Sequence, residues 1–267
     1  MLCKEFIVPV RDLEVTHTPG LWEKIWDRNI LLTPEALGEF IPSYKEFQQI
    51  PENSLLWSET GSIIPIHNMP VIVGLYGPTS AGKDALAASI TLPYLRIIST
   101  TSRSIRPEDP KDTELYHFRT VQEMNELIDK GEFLEGMWEV SGFYGTTKEE
   151  IEMKIQKAKT EHIPLLIWRA NIQGHGVFKP KVQECFGLHV PGIFILPRMP
   201  IQEYQRHIME KRGIQEGLKR WHTACAEIEH APSIVDYLLI NPFDQEDGEK
   251  QSAKALHHLL SHVCPRE

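Results

Sequence analysis

The sequence predicts an α/β domain with a mainly parallel five-stranded sheet flanked by helices, and three observations carry that prediction. From Pro70 onward, short β-branched runs alternate with helix-period stretches, the signature of βαβ units. A glycine-rich turn lies between the apolar run VIVGLY and the helix-forming ALAAS, in a strand–loop–helix context. The composition, 41% hydrophobic and 24% charged over 267 residues, is that of an ordinary globular chain able to bury one large core.

The strands are expected at Val71 to Tyr76, Leu95 to Ser99, Pro164 to Trp168, Gly192 to Leu196 and Tyr237 to Ile240. The intervening helical patterns cover Lys83 to Ile90, Val121 to Lys130, Lys148 to Lys159, Ile201 to Lys211, Glu216 to His230 and Gln251 to Val263. Before them, residues 1–68 read as a separate extension. It has helical patterns at Leu21 to Ile30 and Glu35 to Gln49, an aromatic stripe of Trp22, Trp26 and Phe40, and a short apolar run at Ile63 to Ile66. The main domain is placed at residues 69–267.

Charge and cysteine content exclude several classes. With 28 Lys plus Arg against 37 Asp plus Glu, the net charge of −9 repels nucleic acid and anionic membranes, so neither is an expected partner. An anionic ligand requires a locally basic pocket. Cys3, Cys185, Cys225 and Cys264 are far apart and form no C-x-x-C pair, which fits a reduced, cytoplasmic protein. No apolar stretch approaches the roughly 18 residues of a membrane span.

The turn reads Gly77, Pro78, Thr79, Ser80, Ala81, Gly82, Lys83, Asp84 and matches G-x-x-x-x-G-K. Its glycines let successive N–H groups point at phosphate oxygens, and the lysine reaches the β and γ phosphates. Nucleotide binding is therefore expected here. Asp84 stands where Ser or Thr usually meets magnesium. A carboxylate beside a phosphate repels it unless a divalent cation lies between, so Asp84 either ligates Mg2+, directly or through water, or marks a weakened site.

Four blocks follow in order: Ser99-Thr100-Thr101-Ser102-Arg103-Ser104-Ile105-Arg106-Pro107, Tyr116-His117-Phe118, Gly131-Glu132-Phe133-Leu134-Glu135 and Phe143-Tyr144-Gly145-Thr146. With these the chain resembles the guanylate kinase family over roughly residues 71 to 262. The resemblance implies a P-loop NTPase core with a small GMP-binding subdomain at about residues 100–150 and a helical lid at about 203–222. It also implies that Ser99, Arg103, Arg106, Tyr116, Glu135, Tyr144 and Thr146 bind GMP. Arg103 and Arg106 offer guanidinium forks for a monophosphate, and the two phenols can donate to its other oxygens. A carboxylate at Glu135 would accept from guanine N1–H and the 2-amino group, which adenine lacks. The alternative for the arginines is a solvated basic loop, and for Glu135 taken alone a charge on a helix surface.

Farther along the likeness loosens. Where the family has D-x-D-x-Q-G, this chain has Arg169-Ala170-Asn171-Ile172-Gln173-Gly174, so both aspartates are replaced. Arg206, Arg212 and Arg220 resemble lid arginines, cations that would stabilise the moving phosphoryl group. Arg206 aligns only with a small shift and reads also as a helix-surface residue. Asn241, on the last strand, would lie near the adenine of ATP. The activity implied is transfer of the γ-phosphate of MgATP to GMP, with Lys83 and the lid arginines as the catalytic cations. Two alternatives stay open. One is a kinase of another phosphorylated acceptor, such as ribose 1,5-bisphosphate, given Asp84, Arg169 and Asn171. The other is a non-catalytic phosphopeptide-binding module, although Gly77, Gly82 and Lys83 survive. The oligomeric state is left open.

Overall fold

The computed structural model describes residues 7–9, 69–107, 110–139, 141–169, 171–198, 201–242 and 248–263. In chain order the first elements are β1 (Ile7–Pro9), β2 (Val71–Tyr76), α1 (Lys83–Ala88), β3 (Tyr94–Ile97), β4 (Ser99–Thr101), α2 (Asp112–Leu115), β5 (Tyr116–Phe118), α3 (Val121–Asp129) and β6 (Phe133–Glu139). There follow β7 (Gly142–Thr147), α4 (Lys148–Thr160), β8 (Leu165–Trp168), α5 (Ile172–Phe186), β9 (Gly192–Arg198), α6 (Ile201–Arg212), α7 (Ile214–Ile234), β10 (Tyr237–Pro242) and α8 (Gly248–Val263). The expected α/β class is observed, with all five strands of the mainly parallel sheet. The described residues divide into two compact units, one of residues 7–9, Leu75–Leu92 and residues 191–263, the other of residues 69–74 and Pro93–Val190.

In the first unit β9 and β10 pair in parallel, Tyr237 opposite Ile193 through Pro242 opposite Arg198. The short β1 adds to β10 in the antiparallel sense. Ile193, Phe194, Ile195 and Leu196 are all buried, the continuous apolar run of a parallel strand covered on both faces. The apolar positions of α8, Ala255, Leu256, Leu259 and Leu260, are buried at helical spacing.

In the second unit β8 lies between β2 and β3, parallel to both, with LLIW fully buried. A separate four-stranded sheet runs in the order β5-β4-β7-β6. Within it β6 and β7 are antiparallel and set Glu135 opposite Thr146. The expected strand at Leu95 to Ser99 is interrupted at Ile98, whose N–H donates to Glu150 Oε1 at 2.8 Å instead of continuing a ladder. Thr120 caps α3 in a reciprocal capping box with Glu123, as the sequence order predicts for such a start.

Helix α5 was not expected, because its segment carries Gly174, Gly176 and Pro180. It forms because Asn171 caps it, Gly187 ends it in the left-handed conformation, and it buries Ile172, Phe178 and Val182. Tertiary burial outweighs weak propensity here. The patterns noted at Leu21 to Ile30, Glu35 to Gln49, Ile63 to Ile66 and the Trp22, Trp26, Phe40 stripe lie outside the described residues. Among the described residues no helix is long and apolar enough to cross a membrane.

Candidate active site

The first unit carries the glycine-rich loop. Gly77 has φ +149°, and a Cβ there would stand 2.6 Å from the carbonyl oxygen of Ile195, so the turn out of β2 admits only glycine. Gly82, with φ 86°, is the left-handed residue from which α1 starts. Lys83 curls back over the loop, its ammonium donating to the carbonyl oxygens of Gly77 and, at 2.8 Å, of Pro78. Asp84 is exposed in the first turn of α1.

Two buried side chains outside the motif hold this loop. Asn241 Nδ2 donates to the Ala81 carbonyl at 3.0 Å, while Ser252 Oγ bonds Asn241 Oδ1 at 3.0 Å. The Asn241 amide, placed near the adenine by the resemblance, is thus engaged on the loop backbone. Tyr204 is buried on α6 and its hydroxyl donates to the Thr79 carbonyl. Burial raises the Tyr204 pKa well above the ordinary phenol value, so it stays a protonated donor. Neither Tyr204 nor Ser252 stood out in the sequence, since each sits in an unremarkable helical pattern.

A single hard carboxylate beside phosphate oxygens is a donor set that magnesium takes, its other positions being kept by water. Asp84 fits that role for a cation brought in with a nucleotide. Among the described residues no cluster of three or more His, Cys, Asp or Glu could hold a metal alone.

The second unit gathers the residues expected to meet the acceptor. Arg103 is 5% exposed and is held by Asp112, Nη1 donating to Oδ2 at 2.7 Å and Nη2 to Oδ1. Asp112 also accepts from the Arg106 backbone N–H at 2.8 Å. The Arg103 hydrogen bond holds the Asp112 carboxyl down at about 2, and the same bond raises the guanidinium pKa. The Arg103 guanidinium lies 4.8 Å from the Tyr116 ring centroid and 5.1 Å from that of Phe118. Tyr116 and Tyr144 meet edge to face, 5.9 Å apart. Arg106 is exposed, and Ser99 is buried on β4. The solvated-loop reading therefore fails for Arg103 and describes only Arg106. Asp112 was missed because a carboxylate among Asp, Lys and Glu residues gives no local sign of a buried counter-ion.

Glu135 is 7% exposed on β6, so the helix-surface reading is excluded. Its Oε1 accepts from the Thr146 hydroxyl at 2.7 Å. Burial pushes the carboxyl up to about 7, opposed by bonds from Thr146 and by the charge of Lys181. Gly174 backs it: a Cβ there would lie 2.9 Å from Glu135 Oε2. Asn171, at a family carboxylate position, spends its Oδ1 on the Gly174 N–H at 2.8 Å and its Nδ2 on Met137 Sδ.

The expected lid arginines lie on the α6–α7 hairpin. Arg206 is exposed and 3.9 Å from Glu210, Arg212 is exposed, and Arg220 Nε donates to Glu216 at 2.8 Å. Each pair links neighbouring turns of one helix, an arrangement worth about 0.3 to 0.5 kcal/mol and easily exchanged for a phosphate.

The chain is similar in sequence to known proteins. A family model described as guanylate kinase matches residues 68–259. A guanylate kinase of Ralstonia nicotianae is 32% identical over 170 residues, 61% of this chain and 71% of that one. A guanylate kinase of Cupriavidus metallidurans is 33% identical over 187 residues, 67% of this chain and 79% of that one. A crystal structure of guanylate kinase from Anaplasma phagocytophilum aligns with a TM-score of 0.49 at 23% identity, covering 73% of this chain and 86% of that chain.

Proposed function

Because the chain belongs to the guanylate kinase family, we propose that it transfers the γ-phosphate of MgATP to GMP, giving GDP and ADP. The observation that carries this reading is the buried Glu135 carboxyl, which is positioned by Thr146, backed by Gly174 and borne on the same four-stranded sheet that carries Tyr116 and Tyr144. A carboxylate of this kind accepts from the two donors on the Watson–Crick edge of guanine and finds none at the matching position of adenine.

In this reading the loop amides of residues 77–83 and the Lys83 ammonium bind ATP. Lys83 exchanges its two loop carbonyls for phosphate oxygens. Asp84 holds Mg2+, which, when bound, neutralises charge on the β and γ phosphates. Arg103, Arg106, Tyr116, Tyr144 and Ser99 hold the GMP phosphate, whose oxygen is already anionic and needs no strong base. Arg206, Arg212 and Arg220 supply cations where charge gathers in the transition state, so catalysis is mainly positioning and charge neutralisation. Residues 69–267 form the catalytic domain, with residues 1–68 as an extension.

A coupled ADP-release assay with MgATP against GMP, dGMP, AMP and ribose 1,5-bisphosphate tests the reading. Turnover is expected with GMP and dGMP alone. Turnover with only ribose 1,5-bisphosphate, or GMP binding with no turnover, would replace it.

A further inference from the structure

Trp168 belongs to none of the motifs above, yet it bonds Thr146, one of the residues expected to meet the acceptor. It ends β8, is fully buried, and stacks on Phe178 with ring centroids 3.7 Å apart. Its Nε1 donates to Thr146 Oγ1 at 2.9 Å, and that hydroxyl in turn donates to Glu135 Oε1 at 2.7 Å. Trp168 and Thr146 are both 0% exposed and Glu135 is 7% exposed, so bulk solvent does not compete for these bonds.

The chain of bonds runs one way. An indole N–H donates and cannot accept, so the Thr146 oxygen is the acceptor of that bond. The single Thr146 proton then goes to Glu135. If Glu135 Oε1 carried a proton of its own, the Thr146 oxygen would have to accept twice, and its hydrogen would be stranded in the interior at a cost comparable to a lost buried bond. Oε1 is thereby held as an acceptor. Oε2 lies beside Gly174 and, in the proposed function, is the oxygen that meets the base.

We propose that Trp168 is a positioning residue for acceptor recognition: its indole N–H commits the Thr146 hydroxyl to Glu135 Oε1, which bars a proton from that oxygen, favours the carboxylate form and orients the group to read the donors of a purine base. This rests on Glu135 as the base-reading group of the proposed function. The charge of Lys181, on α5 packed against β6, also favours the carboxylate and is untouched by changes at Trp168. The same elements carry His175 on α5, whose ring centroid lies 6.3 Å from that of Trp168, with Arg169 after β8 and Tyr144 on β7.

Trp168→Phe keeps an aromatic ring against Phe178 and removes the donor together with part of the indole, a volume loss that the Thr146→Val background controls for. In the free protein, carboxyl-carbon NMR is expected to show the Glu135 midpoint moving upward by about 0.5 to 1 pH unit in Trp168→Phe. In the unaltered chain the Trp168 indole N–H resonance is expected to titrate with the same midpoint as Glu135, which tests the bond without any variant. GMP affinity at pH 7 is expected to fall roughly fivefold in Trp168→Phe, with the ATP KM unchanged. In a Thr146→Val background the substitution is expected to add nothing. An unmoved Glu135 midpoint, a flat indole resonance, or an undiminished effect of Trp168→Phe in Thr146→Val would each overturn the proposal. Absence of GMP binding by the unaltered chain at any pH would instead overturn the proposed function, and the two titrations in free protein would still decide the role of Trp168.

Discussion

Replacing Glu135 by Gln should make the protein more stable and worse at binding its acceptor, and the stability gain should depend on pH. The ordinary carboxyl value is 4.5 and burial raises it to about 7 in the folded chain. Below pH 4.5 the group is neutral whether the chain is folded or not, so its burial carries no charge penalty. As pH rises toward 7 the unfolded chain loses its proton first. Folding then has to hold a proton, or bury a charge, against that preference. The difference corresponds to about 3 kcal/mol, fully developed above pH 7. Gln keeps an oxygen to accept from Thr146 and never ionises, so it escapes this penalty. Urea unfolding should therefore find Glu135→Gln close to the unaltered chain at pH 4 and about 2 to 3 kcal/mol more stable at pH 8. Over the same change GMP affinity at pH 8 should drop about 10- to 100-fold, the loss of a charge-assisted hydrogen bond. A stability difference that is the same at both pH values, or a loss of stability at pH 8, would refute the reasoning.

Three other substitutions probe the rest of the framework. Asp112→Ala leaves the Arg103 guanidinium buried without its counter-ion and should cost about 3 to 5 kcal/mol in urea or thermal unfolding; a cost under about 1 kcal/mol would mean that Arg103 does not depend on that carboxylate. Tyr204→Phe removes the donor to the Thr79 carbonyl and should cost about 1 to 3 kcal/mol, raising the KM for ATP while that for GMP stays put, as steady-state kinetics with each substrate varied would show. Gly77→Ala drives a Cβ to 2.6 Å from the Ile195 carbonyl at a φ of +149°; ATP binding by calorimetry should be lost while GMP binding is retained.

The parts of the molecule legible in the sequence are those whose cause is local. The run VIVGLY reads as a covered parallel strand because every residue in it is buried, and Gly77 and Gly82 read as a phosphate loop because backbone geometry demands glycine at those points. Glu135 and Thr146 were legible only together, through their blocks, and the sheet register explains why they act together. What stayed hidden depends on partners distant in the chain. Tyr204 reaches the loop across 125 residues and Trp168 reaches Thr146 across 22, while Asn241, itself named from the last strand, makes a bond to the loop backbone across 160 residues that its strand position does not reveal. Helix α5 was obscured for a related reason, since its Gly174 permits the close approach to Glu135 that its own propensity cannot explain.

The central claim is that this chain phosphorylates GMP through the loop at residues 77–84 and the buried Glu135 carboxyl. Its most direct test is chromatographic measurement of GDP formed from MgATP and GMP by the purified full-length chain, beside Lys83→Ala and Glu135→Gln. The account expects GDP and ADP in equal amounts, abolished in Lys83→Ala and reduced in Glu135→Gln mainly through a raised KM for GMP. GDP formation that persists unchanged in Lys83→Ala, or no GDP from a folded protein that binds both nucleotides, would contradict it.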